Sequence, residues 1–357
     1  MTILNRNKIR PDILKILDDG FKEEMKFALQ FTQFEENKKF NFQKIYKKLL
    51  DLNELFFTKK AGMFELNNKL TGEERDYLTR LLRYAFEQST IQELENYPIP
   101  NDIEITSIML DKIPAEWVIP SDPIKDHVIL YIHGGGMIMG SPLTCRRLTS
   151  AIVKATGIKI LSIDYRLIPE HPFPAQLDDC LDAYKWLLSN GFNNDQIIIA
   201  GDSAGGNLTL TTLLKIRNMG IGLPAGAIPI SPITDFTLAG DSFFKNAETD
   251  PRLADIGIFW WLAAYISEED PSNPYISPLY ADLKGLPPIL VQASSCEILY
   301  SDAARFVEKA KKAETKAILQ SWDDMTHVFQ GTRYELLSEA EDAISKIADF
   351  TNQLFKT

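Results

Sequence analysis

The sequence predicts an α/β fold: a central, mostly parallel sheet of about eight strands, helices on both sides and a helical cap. From about residue 97 onward, short β-type runs alternate with longer helical stretches. Several runs, such as VILYIH, ILSID and IIIAG, are apolar throughout, which is typical of strands covered by helices on both faces. Before residue 97 the apolar residues instead follow helical spacing.

Residues 1–96 are predicted to form a helical region that contributes to the cap. Apolar side chains recur at helical spacing, as at Leu14, Leu17 and Phe21. The first 60 residues carry 13 Lys/Arg against 9 Asp/Glu and hold 8 of the 20 Phe. We expect their apolar faces to pack on the main domain, and a basic amphipathic helix lying on a membrane surface is the alternative.

The turn-rich segment YPIPND marks the start of a catalytic domain, residues 97–357. Its strands are predicted at Ile103–Leu110, Trp117–Pro120, His127–His133, Lys159–Asp164, Gln196–Gly201, Gly226–Ser231, Pro288–Ala293 and Lys316–Ser321. Its helices are predicted at Cys145–Thr156, Gln176–Leu188, Ser203–Asn218, Asp302–Lys312 and Glu335–Phe355. One connection, residues 232–287, is too long for a simple crossover and is predicted to be a cap insertion.

Composition excludes several classes of protein. With 357 residues, 45% of them hydrophobic and 24% charged, the chain is neither disordered nor a coiled coil. The net charge of −11 argues against nucleic acid as the main partner. Three cysteines without a CxxC pair disfavour a disulfide scaffold or zinc site and favour a reducing compartment, so we expect a cytoplasmic protein. We expect no secretory signal and no membrane-spanning helix, because the first residues lack an apolar core and no apolar stretch approaches about 18 residues.

The segment GDSAGG, Gly201–Gly206, follows a predicted strand and opens a predicted helix. A Gly-x-Ser-x-Gly at such a turn is typical of a nucleophile elbow, with Ser203 as the nucleophile. Glycine is needed there because a sharp turn brings backbone close to backbone. An N-capped helix after a glycine turn is the structural alternative.

The segment HGGG, His133–Gly136, directly follows the strand-like VILYI. Three glycines after a strand can point backbone N–H groups at a bound oxygen, as in an oxyanion hole. Nucleotide binding is disfavoured because the segment lacks the lysine and the spacing of the phosphate-binding loops.

A serine nucleophile needs a base, and of the four histidines only His327 follows Ser203 in the chain. In this type of site the order is serine, acid, histidine. Glu297, four residues beyond the end of a predicted strand, is the favoured acid. Asp302, which we expect to cap a helix, is the alternative, and Asp323 and Asp324 are interpreted as solvated loop charges.

The set HGGGMIMGSP, DYRLIPEHPFPAQLDD, GDSAGGN and the C-terminal E…H pair resembles the hormone-sensitive lipase-like family of α/β-hydrolases. The match covers about residues 128–329 in the right order. The resemblance implies an α/β-hydrolase fold and a serine carboxylesterase that hydrolyses short- to medium-chain acyl esters without metal or cofactor. It also implies that backbone N–H groups of Gly135, Gly136 and Ala204 form the oxyanion hole.

The sequence departs from this family at two positions. The usual Asp-Pro-Leu at the acid reads Glu297-Ile298-Leu299, and Met137 stands where an aromatic residue commonly follows HGGG. Two other functions stay open: a lipid hydrolase that docks on membranes, and a ligand receptor on the same fold, although receptors of that kind have lost the histidine. The expected partner is a small acyl ester, and a homodimer stays open because homodimers are common in the family.

Overall fold

The computed structural model describes residues 4–124, 126–254, 257–332 and 336–355. Its centre is an eight-stranded sheet with the strand order β1-β2-β4-β3-β5-β6-β7-β8. The strands are β1 (Ile103–Leu110), β2 (Ile113–Pro120), β3 (Val128–Ile132), β4 (Lys159–Ile163), β5 (Ile197–Asp202), β6 (Gly226–Ile230), β7 (Ile289–Ser294) and β8 (Ala317–Trp322). β2 pairs antiparallel with both β1 and β4, and all other neighbours are parallel. The predicted fold class is confirmed.

The strand β2 begins four residues earlier than the sequence predicted. Leu110 pairs with Ile113, so β1 and β2 form a hairpin with a two-residue turn at Asp111 and Lys112. Asp111 has a φ of +54°, as such turns require. Pro114 hid this strand start in the sequence, because proline is rare inside sheets.

Helices cover both faces of the sheet, as the apolar strands require. After residue 97 they are α5 (Arg146–Thr156), α6 (Ala175–Ser189), α7 (Ala204–Asn218), α8 (Asp241–Lys245), α9 (Ile258–Ile266), α10 (Tyr300–Lys312) and α11 (Ser338–Phe355). Their numbers continue from the N-terminal helices described below. Leu130 packs in one cluster with residues of α6 and α7, and its neighbour Ile129 in another with residues of α5 and α11. Alternate strand side chains therefore supply two cores. The predicted start of the last helix, Glu335, lies outside the described residues.

The N-terminal region consists of α1 (Pro11–Phe31), α2 (Phe42–Phe57), α3 (Met63–Asn67) and α4 (Gly72–Asn96). A reciprocal capping box between Thr71 and Glu74 starts α4. Most phenylalanines of this region face inward: Phe27, Phe31, Phe56 and Phe57 are buried, and the partly buried Phe34, Phe40 and Phe42 pack against the same core, whereas Phe64 is exposed. The alternative of a phenylalanine face turned to a membrane gains no support from this packing.

The insertion between β6 and β7 carries α8 and α9 and packs against the N-terminal helices. Phe57 stacks on Phe243 with ring centroids 5.9 Å apart, and Phe56 meets the same ring edge-on at 6.0 Å. The side chain of Asn53 donates to the backbone oxygen of Ala254. Within the described ranges, no helix is long and apolar enough to cross a membrane.

Candidate active site

Ser203 lies at the turn between β5 and α7, where the sequence predicted it. Its φ of +54° is rare for a residue with a side chain, and its N–H donates to the Ile230 oxygen at 2.8 Å. A Cβ on Gly205 would lie 1.9 Å from the backbone oxygen of Ile132. The glycine is therefore required by the close approach of the elbow to β3, as predicted.

The structure brings His327 and Glu297 together. Nδ1 of His327 lies 2.6 Å from Oε2 of Glu297, and both side chains are buried. The other carboxylate oxygen of Glu297 accepts from the Ser231 hydroxyl at 3.0 Å and from the Ser294 N–H at 2.9 Å. These bonds fix the carboxylate, which in turn fixes the imidazole ring and directs its Nδ1 proton towards Glu297.

The charges around His327 favour its protonated form. Burial alone would lower the pKa of this histidine, and the hydrogen bond and charge of Glu297 raise it. The nearby carboxylates of Asp250 and Asp202 act in the same direction, so the pKa of His327 lies above its usual range. An imidazole in this setting accepts a proton readily and is stabilised once charged.

The second imidazole nitrogen, Nε2 of His327, is buried and has no hydrogen-bond partner in the part of the chain that the structure describes. The serine–histidine hydrogen bond is thus not formed in this conformation. Such bonds are often long in ligand-free sites and tighten when substrate binds. Ser203 and His327 line the same cavity, which is the geometry this tightening requires.

The HGGG segment forms a tight loop beside Ser203. Gly135 has a φ of +110°, and its carbonyl accepts from the N–H groups of Ile138 and Met139 at 3.1 and 3.0 Å. Asp202, the residue before the nucleophile, accepts from the Gly134 N–H at 3.1 Å and from the Tyr131 hydroxyl at 2.7 Å. Gly135, Gly136 and Ala204 all line the cavity with Ser203.

Tyr165 packs against the first residue of this loop, His133. The ring of His133 stacks on Tyr165 with centroids 4.2 Å apart, and the Tyr165 hydroxyl donates to the His133 oxygen at 2.9 Å. Burial lowers the pKa of His133 to about 4, so this imidazole is neutral at pH 7. The structure gives His133 a packing role against Tyr165.

The competing acids occupy other places. The Asp302 carboxylate accepts from the N–H groups of Thr234 and Asp235 at 2.7 and 2.8 Å, and burial raises its pKa to about 7. It anchors the insertion to α10 and does not cap the start of that helix, so that part of the expectation is wrong. Asp323 and Asp324 are exposed, and Asp323 accepts from the Ser295 hydroxyl at 2.6 Å.

A cavity of about 1040 Å³ connects the site to the surface. The elbow and the HGGG loop line it together with residues of α1, α4 and α9. Trp261 of α9 is part of the wall, and its ring would touch a Cβ on Gly136 at 3.4 Å, whereas Trp260 is not part of the wall. No cluster of metal-ligating side chains occurs among the described residues.

Sequence reasoning missed three residues around the acid and base. Ser231 holds Glu297, Asp202 holds the HGGG loop, and Asp250 adds a buried charge near His327. The first two could have been suspected, because they stand at the carboxyl ends of predicted strands, where ligands bind in open α/β sheets. Nothing in the local sequence pointed to Asp250.

The chain is similar to several known hydrolases. A family model described as the alpha/beta hydrolase fold matches residues 129–331. The acetyl-hydrolase of Streptomyces hygroscopicus is 37% identical over 66% of this chain and 78% of that protein. An esterase of Acinetobacter venetianus is 35% identical over 72% of this chain and 85% of that protein.

Solved structures agree with these relatives. An esterase from the bacterial hormone-sensitive lipase family is 36% identical, covers 86% of this chain and 98% of its own, and has a TM-score of 0.74. The crystal structure of EstE5 soaked with p-nitrophenyl butyrate is 38% identical, covers 78% of this chain and 92% of its own, and has a TM-score of 0.73.

Proposed function

This chain belongs to the alpha/beta hydrolase family, within its hormone-sensitive lipase-like group, and we propose that it is a serine carboxylesterase with a Ser203–His327–Glu297 triad. The observation that carries the proposal is the 2.6 Å contact between His327 and Glu297. His327 lies on the wall of the same cavity as Ser203, whose φ is positive. Relatives named esterase and acetyl-hydrolase support the same activity.

The proposed reaction is an acyl transfer in two halves. His327 takes the proton of the Ser203 hydroxyl as its oxygen attacks the ester carbonyl, and Glu297 stabilises the imidazolium that forms. His327 then gives the proton to the departing alcohol, which leaves an acyl-enzyme. Water repeats the sequence on the acyl-enzyme and releases the acid. Every group involved is a side chain or a backbone N–H, so the mechanism calls for no cofactor.

The oxyanion that forms in each half is assigned to the backbone N–H groups of Gly135, Gly136 and Ala204. Support comes from the loop that Asp202 and Tyr165 hold beside the nucleophile, and from the position of all three residues on the cavity wall. Each donor of this kind contributes about 10²–10³ in rate.

We assign the cap to two segments, residues 1–96 and the insertion at about 232–287. Their support is that α1, α4 and α9 line the same cavity as Ser203 and that aromatic contacts join the two segments. Trp261, which packs beside Gly136, is placed to limit the acyl group and favours short- to medium-chain esters.

Neither alternative function gains a specific observation. The receptor hypothesis requires a disabled base, yet His327 is present and paired with Glu297. The membrane hypothesis requires outward apolar faces, yet most of the N-terminal phenylalanines pack inward, with Phe64 the exposed exception among those described.

The test is hydrolysis of p-nitrophenyl acetate, butyrate, octanoate and laurate by the wild type and Ser203→Ala. We expect the wild type to prefer the shorter esters and the variant to lose about 10⁶ in kcat. A circular dichroism spectrum confirms that the variant is folded. Equal activity of both proteins, or no turnover of any ester by the wild type, would overturn the proposal.

A further inference from the structure

Side chains of the insertion form hydrogen bonds to the backbone around Glu297. Four consecutive carbonyls, from residue 295 to residue 298, each accept a hydrogen bond from it. The Asn246 amide donates to the oxygens of Ser295 and Glu297 at 2.9 and 3.0 Å. The Thr249 hydroxyl donates to the Cys296 oxygen at 3.0 Å, and the Ser242 hydroxyl donates to the Ile298 oxygen at 2.6 Å.

Asp250 completes this set as a hydrogen-bond acceptor, whereas the other side chains are donors. One oxygen of its buried carboxylate accepts from the Ile298 N–H at 2.9 Å. The other accepts from the N–H groups of Arg252 and Leu253, both at 3.1 Å. Asp250 thus ties the residue after Glu297 to the insertion's own backbone. We call Ser242, Asn246, Thr249 and Asp250 the acid clamp.

The acid clamp lies away from the space that substrate would occupy. None of its four residues is part of the cavity wall. What it touches is the loop that carries Glu297, whose carboxylate must stay within hydrogen-bond distance of His327. A catalytic group displaced by about 1 Å can cost about 10² in rate.

We propose that the acid clamp consists of positioning residues for Glu297, so that the insertion sets the geometry of the triad as well as the shape of the cavity. This inference rests on the proposed function. The insertion's bonds satisfy consecutive backbone groups of the loop and restrict its movement, in addition to the bonds that Ser231 and Ser294 make to the carboxylate itself.

The chain offers a matched control for a merely structural role. Thr234 is a buried threonine of the same insertion, and its hydroxyl donates to the Asp302 oxygen at 3.0 Å. Thr234→Val and Thr249→Val therefore remove the same kind of bond, from threonine to a backbone carbonyl. Only the second of these bonds reaches the loop at Glu297.

The experiment compares Thr249→Val, Asn246→Ala, Thr249→Ser and Thr234→Val on p-nitrophenyl butyrate. We expect kcat to fall about tenfold in the first two, with KM within twofold, because the reacting groups are misplaced while the cavity is intact. Thr249→Ser restores the donor and should recover kcat to within twofold of the wild type. Thr234→Val should lose stability with kcat unchanged. An equal kcat in Thr249→Val, Asn246→Ala and Thr234→Val would overturn the acid clamp.

A second readout needs no substrate. The proton shared by His327 and Glu297 gives a far-downfield proton resonance when this short, charge-assisted bond is well ordered. We expect the signal to weaken or shift in Thr249→Val and to persist in Thr234→Val. Should the wild type hydrolyse no ester, the proposed function fails, yet this signal still decides on the clamp: an unchanged resonance in Thr249→Val contradicts it.

Discussion

The sheet and the N-terminal helices differ in how completely their residues are buried and how closely they are packed. Every residue of β3, β5, β6 and β7 is buried, and glycines without room for a Cβ join these strands to the site. The N-terminal helices bury one face each and expose many ion pairs on the other, such as Lys47–Asp51. The residues of the proposed site are therefore held by short, tightly packed segments of the sheet, whereas the less tightly packed N-terminal helices shape the cavity.

The two regions meet at a few specific contacts. Arg83 of α4 donates to the backbone oxygens of Ile138 and Ile168, at 2.7 and 2.8 Å, and forms a bidentate ion pair with Glu170. Ile138 belongs to the loop that Gly135 closes. Through this arginine, the N-terminal region reaches the backbone that carries the proposed oxyanion hole.

Glu297→Gln should give the largest effect, inside the tightly packed region. An amide in place of the carboxylate cannot hold the productive imidazole tautomer, so kcat should fall about 10⁴-fold. The charge that raises the pKa of His327 is also lost, although Asp250 and Asp202 still face the ring. That pKa falls, the imidazole stays neutral to lower pH, and the acid limb of the kcat/KM profile moves to lower pH. Steady-state kinetics between pH 4 and pH 9, a range about the ordinary histidine pKa of ~6.5, checks both effects.

The control for that substitution is Asp302→Asn, which keeps an acceptor for the Thr234 and Asp235 N–H groups. Its kcat should stay within about threefold of the wild type, because Asp302 is bonded to the insertion and not to His327. A loss as large as that of Glu297→Gln would make Asp302 the acid after all.

Arg83→Met should give an intermediate effect, at the junction of the two regions. It removes charge-assisted bonds to two carbonyls, which should cost about 2 kcal/mol in the free energy of unfolding. We expect kcat/KM to fall about tenfold as the loop after Gly135 loosens. Urea unfolding and ester kinetics measure the two losses.

Arg80→Met serves as the companion variant, because Arg80 lies one turn earlier on α4 and bonds to Asn37 and Asp76, both inside the N-terminal region. Its kcat/KM should match that of the wild type. If Arg80→Met lost as much activity as Arg83→Met, the connection to the oxyanion loop would be refuted.

Lys47→Ala should give the smallest effect. Lys47 and Asp51 form an (i, i+4) pair whose side chains are 75% and 58% exposed. Such pairs contribute about 0.5 kcal/mol or less, because water screens them and holding two long side chains costs entropy. The urea midpoint should barely move, with unchanged kinetics. A change of more than about 1 kcal/mol in the free energy of unfolding would show that the outer faces are as constrained as the sheet.

Most of the fold could be predicted from the sequence, since buried parallel strands appear as continuous apolar runs. β1 has the predicted ends, Ile103 and Leu110, and β3–β8 differ from the prediction by one residue at one or both ends. The start of β2 could not be predicted, because its pairing with β1 makes a strand of residues that proline disfavours. The last helix begins at Ser338, and its predicted start, Glu335, lies outside the described residues.

For the candidate site, motif and order in the sequence selected Ser203 and His327 and favoured Glu297 over Asp302, and three-dimensional contacts distinguish these two acids. Glu297 and Asp302 are five residues apart in one segment, and both are buried. What separates them is which partner each carboxylate meets, His327 or the Thr234 backbone. The bonds of Asn246 and Thr249 to this segment join residues about 50 positions apart, and no local pattern encodes such pairs.

The aromatic contact between the N-terminal helices and the insertion has a consequence for synthesis of the chain. Phe56 and Phe57 leave the ribosome well before their partner Phe243, which follows only after six strands of the sheet have been made. Until then these rings have no Phe243 to cover them, and a nascent chain in that state exposes apolar surface of the kind that binds chaperones. The N-terminal helices are thus made before the sheet but completed only after most of its strands.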